Sequence, residues 1–302
     1  MSQRAIGPRA KIDTSMTGIV SAVDDRGNSQ PARIRALVVP REHGAWGLLL
    51  VPLLTGAITG LASGQRLWPT LLFTLAVLLL FWLRTPVESL IGSGPMAVHN
   101  REERRIAAKA AFLLLLASIA CLVGLMWGGH NLELLPIGIF SAVAFIAQTV
   151  LRRRRRSLRM ASQVVGTLGL TATAVGAYYV ASGRLDPPAF VLWAANWLFA
   201  VNQIHFVQLR IHAFRAQTFT EKVLAGKSFL AGQASLLGML AAAMFAQIAS
   251  PLVALAFAPA LFRGTRWFFQ SPEALNVKAL GWSEMRQGVA FGALLTFALL
   301  MH

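Results

Sequence analysis

LLPIGIFSAVAFIAQTVLRRRRR, residues 134–156, sets the reading of the whole chain. Residues 134–151 carry no charge and stop against five consecutive arginines, Arg152 to Arg156. A charge-free apolar run of roughly 20 residues crosses the hydrocarbon core of a bilayer as a helix. A basic block directly behind it acts as a stop-transfer signal and an anchor to lipid headgroups. Comparable runs lie to either side. Together they occupy about 44–63, 68–83, 108–127, 133–151, 160–182, 187–207, 228–248, 251–267 and 284–301, which predicts an all-α, polytopic membrane bundle of about nine helices. The last two spans rest on proline and on helix start. Residues 228–262 are nearly charge-free and would make one helix of roughly 52 Å, too long for a single crossing. Ser250-Pro251 breaks the run, because proline removes a donor and clashes with the preceding turn. The final span reaches across only if its helix begins near Ser283.

Composition agrees. The chain has 302 residues, 56% apolar and 13% charged, whereas soluble domains carry roughly a quarter charged residues. An ordinary soluble enzyme and a disordered chain are both excluded. The single cysteine, Cys121, excludes a disulfide framework and a cysteine-based metal site.

The formal charge of +16 reads as topology rather than as nucleic-acid binding. Of the 28 Lys and Arg residues, 26 fall in alternate gaps between the runs, and only Arg66 and Arg184 fall on the other side. By the positive-inside rule the N-terminus is cytoplasmic and nine crossings put His302 outside. Residues 1–32 are polar and punctuated by Gly, Ser and Pro, and are expected to form a disordered basic tail. Residues 33–302 are expected to form the bundle. The outward loops are too short to receive a partner, so binding or chemistry is expected at the cytoplasmic side or within the bundle. The expected partners are the lipid bilayer and an isoprenoid or lipid ligand, not nucleic acid. Nothing in the sequence names a cofactor or sets an oligomeric state.

Polar groups at membrane depth are costly, so they mark candidate sites. Three clusters qualify. Arg41, Glu42 and His43 open the first span, at a helix N-terminus that suits an anion or a headgroup. Asn202, His205, Gln208 and His212, with Gln203 and Arg210 beside them, close the sixth. At about 100° per residue those four share one arc of about 120°. Such a stripe serves either interhelical hydrogen bonding or a polar cavity. Arg84, Thr85, Pro86 and Glu88 end the second span, as a snorkelling arginine at a helix stop or as part of the same cavity.

The segments PREHGAWG (40–47) and VNQIHFVQLRI (201–211) resemble the signature of YwiC-like bacterial membrane proteins, with a layout running from 36 to 301. That resemblance implies the bacterial inner membrane. The layout is also similar to the UbiA superfamily of intramembrane prenyltransferases. Those proteins carry Asp-rich motifs for magnesium and a prenyl diphosphate on the cytoplasmic ends of helices two and six. Here the same two ends carry the second and third clusters, and no Asp-x-x-Asp or Asp-x-x-x-Asp occurs there, so no metal site is expected.

Three functions compete. In a transferase acting on an isoprenoid or lipid, His43 or His205 is the catalytic base. Arg41, Glu42, Arg84, Glu88, Asn202, Gln203, Gln208 and Arg210 then bind substrate. A non-catalytic binder or carrier would hold a lipid, quinone or tetrapyrrole, with His43, His205 and His212 as polar handles. His205 and His212 lie on one helix and cannot both ligate one haem. A transporter would need intramembrane carboxylates and repeats, which the sequence does not display.

The topology is directly testable. A reporter fused after His302 should be active only on the outer side of the membrane. Activity confined to the cytoplasm would remove one of the last two spans.

Overall fold

The computed structural model describes residues 32–39, 43–92, 96–127, 132–154, 159–271 and 276–301, and all regular structure among them is helical. The expected tail over 1–32 lies outside the described residues except for its last, Ala32, which is helical. A short helical segment over 32–38 leads into α1 (His43–Gly64), α2 (Leu67–Ile91), α3 (Arg101–Trp127), α4 (Leu134–Arg154), α5 (Arg159–Thr171) and α6 (Thr173–Ser182). There follow α7 (Pro187–His212), α8 (Phe219–Phe245), α9 (Pro251–Leu255), α10 (Ala258–Phe269) and α11 (Val277–Leu300).

Among the described residues seven stretches are long and apolar enough to cross a membrane: α1, α2, α3, α4, the α5–α6 run, α7 and α8. The expected fifth span is broken at Ala172. The hydroxyls of Thr167, Thr171 and Thr173 each donate to a carbonyl three or four residues back, the competition with the helical ladder that bends helices. The expected eighth span is the pair α9 and α10, of 5 and 12 residues, each opened by a proline near its first position, Pro251 and Pro259, where a missing N–H is harmless. The expected ninth is α11, continuous over 24 residues. It starts at Val277 rather than Ser283, because the Asn276 side chain accepts from Ala279 N at 3.0 Å and caps it. Glu284, Arg286 and Gln287 dilute the hydropathy of its first half.

The fold is organised around α6. All eight residues from Ala174 to Ala181 are buried, and α6 contributes to both larger apolar clusters. Its tightest neighbour is α1. An added Cβ at Gly56 would sit 2.2 Å from the Ala174 carbonyl oxygen, at Gly60 2.6 Å from that of Tyr178, and at Gly64 2.4 Å from the Ser182 Cα. The pairs advance by four residues on both helices, so α1 and α6 run parallel with their backbones touching. This is small-xxx-small packing, by which helices associate where lipid removes the hydrophobic drive. On the far side of α1, Val51 and Thr55 meet Gly288 and Gly292 of α11, so α11 also runs parallel to α1. α3 and α4 turn large apolar side chains outward, among them Phe112, Leu116, Ile119, Ile139 and Ile146, a face suited to lipid.

α1 and α6 end together, and α2 and α7 start beside them. Consequently the start of α1 and the ends of α2 and α7 share the opposite end, where Arg84, Arg152 and Arg210 also lie; it is called the basic end below. The lead-in segment docks there. Leu37 is fully buried, its carbonyl accepts from Ser89 Oγ at 3.2 Å, and Arg33 pairs with Glu103 at 2.6 Å.

Gly56→Ala should lower stability by about 1–3 kcal/mol or more, since backbone atoms opposite cannot yield. Gly238→Ala, where an added Cβ meets nothing within 4 Å, should stay within about 0.5 kcal/mol. Thermal unfolding in mild detergent compares the two. Equal effects would remove the close-contact account.

Candidate functional site

Helix α7 opens with Asp186 as N-cap and Pro187 and Pro188 in its first turn, runs apolar, and turns polar over its second half. Its polar side chains leave as spokes to four different helices. The Asn196 amide donates to the Thr55 hydroxyl of α1 at 3.1 Å. The Gln203 amide donates to the Glu284 backbone carbonyl of α11 at 2.8 Å. His205 Nε2 lies 3.1 Å from the Ser228 hydroxyl of α8, its ring edge-on to Phe229 at 5.8 Å. The Gln208 amide donates to the side-chain Oε1 of Gln163 on α5 at 3.1 Å. His212 turns back on its own helix, with Nδ1 2.7 Å from the Gln208 carbonyl. Asn202 is buried with its Oδ1 unpartnered.

At the end of α2, Arg84 Nε donates to Glu88 at 2.9 Å, and Arg152 of α4 lies 3.6 Å from the same carboxylate oxygen. Arg84 also lines a cavity of about 470 Å³ between α2, α4 and α5. Its wall is otherwise apolar apart from Ser141, Gln148 and Thr173. Arg84 and the α7 residues thus share the basic end but not this cavity: Asn202, His205 and Gln208 are absent from its lining. Arg41 and Glu42 lie outside the described residues, as does the side chain of His43, whose backbone begins α1.

A second polar group escapes a reading by spans. Arg263, one of the charges assigned by sequence to a loop at the end of the eighth span, sits inside the bundle on α10 and forms an ion pair with Glu284 of α11. Both side chains are nearly buried, 12% and 10% exposed. The guanidinium carbon stands 4.1 Å from the centroid of the Phe206 ring on α7. Gln233 of α8 is buried beside Gly264, its amide atoms unpartnered, and Gln287 follows Glu284 by one turn. The signal available in the sequence was the spacing of Glu284, Gln287 and Gly288, one helical face interrupting an apolar run. The bundle therefore does hold a buried carboxylate.

Residues 39–179 match the family described as YwiC-like protein. A Bacillus subtilis (strain 168) protein described as "Uncharacterized protein YwiC" is 25% identical over 182 residues, covering 60% of this chain and 70% of that protein. No solved structure matches. The matched stretch is YwiC-like, and it contains α1 to α5 and most of α6. The cavity and most of the α1–α6 contact fall within it, the last pair, Gly64 with Ser182, crossing its edge, while the α7 spokes and the Arg263–Glu284 pair involve residues beyond it.

Breaking a buried ion pair on one side strands a charge and costs about 3–5 kcal/mol, whereas replacing both partners with apolar residues is far milder. Glu284→Leu should therefore destabilise the protein strongly in detergent unfolding, and adding Arg263→Met should recover most of the loss. A double variant as unstable as the single one would show that the pair does not act as a unit.

Proposed function

We propose that this YwiC-like membrane protein binds an isoprenoid or related lipid, the apolar chain lying in the cavity between α2, α4 and α5 and the polar head meeting Arg84. The observation that carries this reading is the cavity's chemistry, an apolar wall with one cation at its rim. A cavity of about 470 Å³ is within the usual range for small-molecule pockets. Arg84 keeps Glu88 on its Nε, and its two terminal nitrogens make no hydrogen bond to a described residue, which leaves them for a headgroup oxygen. Its end of the bundle is the cytoplasmic one if the basic split sets orientation, and a bacterial inner membrane fits that arrangement.

Binding is favoured over prenyl transfer by the donor set at the ends of α2 and α7. Magnesium with a diphosphate wants several free carboxylates. Glu88 lies between Arg84 and Arg152, and the α7 end supplies amides and imidazoles rather than carboxylates, His205 and Gln208 being engaged with neighbouring helices and His212 with its own. These residues do not fit that metal, and no catalytic step is derived through it.

Gly138 lines the cavity and has no atom within 4 Å of an added Cβ, so Gly138→Trp should fill the space without a backbone clash. Lipids co-purifying with wild type, Gly138→Trp and Arg84→Met in mild detergent can be compared by mass spectrometry. A species enriched in wild type should fall several-fold in Gly138→Trp at unchanged melting temperature, and Arg84→Met should deplete it if charged. Identical lipid profiles in all three would reject the pocket.

A further inference from the structure

Arg263, Glu284 and the amides around them form a second site, separate from the apolar cavity and on different helices. Arg263 uses only Nη1 for Glu284. Its Nε and Nη2 are buried and have no partner. These two nitrogens form one edge of the planar guanidinium, the fork that takes both oxygens of a carboxylate or phosphate at once. Phe206 lies against the face of the group, its ring centroid 4.1 Å from the guanidinium carbon, and does not occupy either nitrogen by hydrogen bonding. Gln233, 5% exposed and with both amide atoms unpartnered, lies beside Gly264, the residue after Arg263 on α10; Asn202 Oδ1, Gln287 Oε1 and Glu284 Oε2 are likewise buried without partners, and Asn202 is only 6% exposed. Carboxamides can present either their N–H₂ or their oxygen.

Charge points the same way. Arg210 of α7 is near enough for its charge to act on Glu284, and it pairs with no carboxylate among the described residues. Two cations therefore surround one carboxylate roughly 10 Å along α11 from its start. With one carboxylate between two cations the local field is net positive, which favours an anion.

We propose that this cluster is a buried oxyanion-binding site, in which the Nε/Nη2 edge of Arg263 holds a carboxylate or phosphate group side-on and the amides of Asn202, Gln233 and Gln287 complete its shell. Glu284 holds the guanidinium in register from its other side, and Gln203 fixes the α11 backbone at that position by its bond to the Glu284 carbonyl. The site lies on α7, α8, α10 and α11, so it stands or falls independently of the lipid cavity.

The test titrates sodium phosphate and sodium acetate against sodium chloride at matched ionic strength, following the melting temperature of the full-length protein in mild detergent. Wild type should show a saturable rise with phosphate or with acetate that chloride does not give. Arg263→Lys keeps the charge beside Glu284 but loses the fork, and its half-saturation should shift at least tenfold. Gln233→Leu serves by the same criterion should the lysine variant not fold. Repeating the series in phosphatidylcholine discs with and without phosphatidic acid separates the sources. A phosphate response abolished by phosphatidic acid assigns the site to a lipid headgroup, and one that persists assigns it to a free solute. Responses to both anions no larger than to chloride, or undiminished in the variants, would overturn the proposal.

Discussion

The rest of the structure depends on one close approach, that of α1 to α6 through Gly56, Gly60 and Gly64. In a bilayer the lipid tails are as apolar as leucine, so burying leucine against leucine gains little. What favours one helix pair over another is how closely backbones can come and how many atoms then touch. Three glycines spaced four residues apart remove every side chain from one strip of α1, and the α6 backbone occupies it. The remaining helices inherit their positions. α2 begins two residues beyond Gln65, whose φ of 56° turns the chain, and Arg66 N donates to the Ala181 carbonyl at 3.1 Å, tying that turn to the end of α6. α11 packs on the opposite side of α1 through its own small residues, Gly288 and Gly292.

Polar groups supply the second constraint. Unpaired donors and acceptors are expensive away from water, so most polar side chains in the bundle reach a partner on another helix or on their own, and the exceptions include atoms of Asn202, Gln233 and the Arg263–Glu284 pair. α7 shows this most fully, with Asn196, Gln203, His205 and Gln208 reaching α1, α11, α8 and α5. Four bonds in four directions fix the rotation of α7 about its axis, which glycine packing alone does not. Arg263 and Glu284 do the same for α10 and α11. This explains how a helix as polar in its first half as α11 lies within the bundle.

The two polar arrangements divide the molecule by chemistry. The stretch that matches the YwiC-like family holds an apolar cavity with one cation in its lining, and the remainder holds a buried ion pair with carboxamides on the helices packed against it. Both sit toward the basic end. A molecule with an apolar chain suits the first, and a compact oxyanion suits the second.

The helical membrane bundle and its basic end were legible in the sequence, because hydropathy over roughly 20 residues and the spacing of arginines are local properties; the number of spans was not, since nine were expected and seven described stretches are long and apolar enough to cross. So was the polar second half of α7, since a stripe on one helix face follows from 3.6 residues per turn. What each of those residues touches was not. Asn202, His205 and Gln208 fall on one arc, yet they are spread over a partnerless buried atom, α8 and α5, because an arc of about 120° on a packed helix is wide enough to meet more than one neighbour. Arg263 reads as a loop cation by its position after an apolar run, and only the packing of α10 against α11 makes it the partner of Glu284, 21 residues later. The sequence by itself determined that polar groups would stand inside a membrane bundle. Tertiary structure decided which of them meet, because hydrogen bonds and ion pairs act over a few ångströms between residues that lie far apart along the chain.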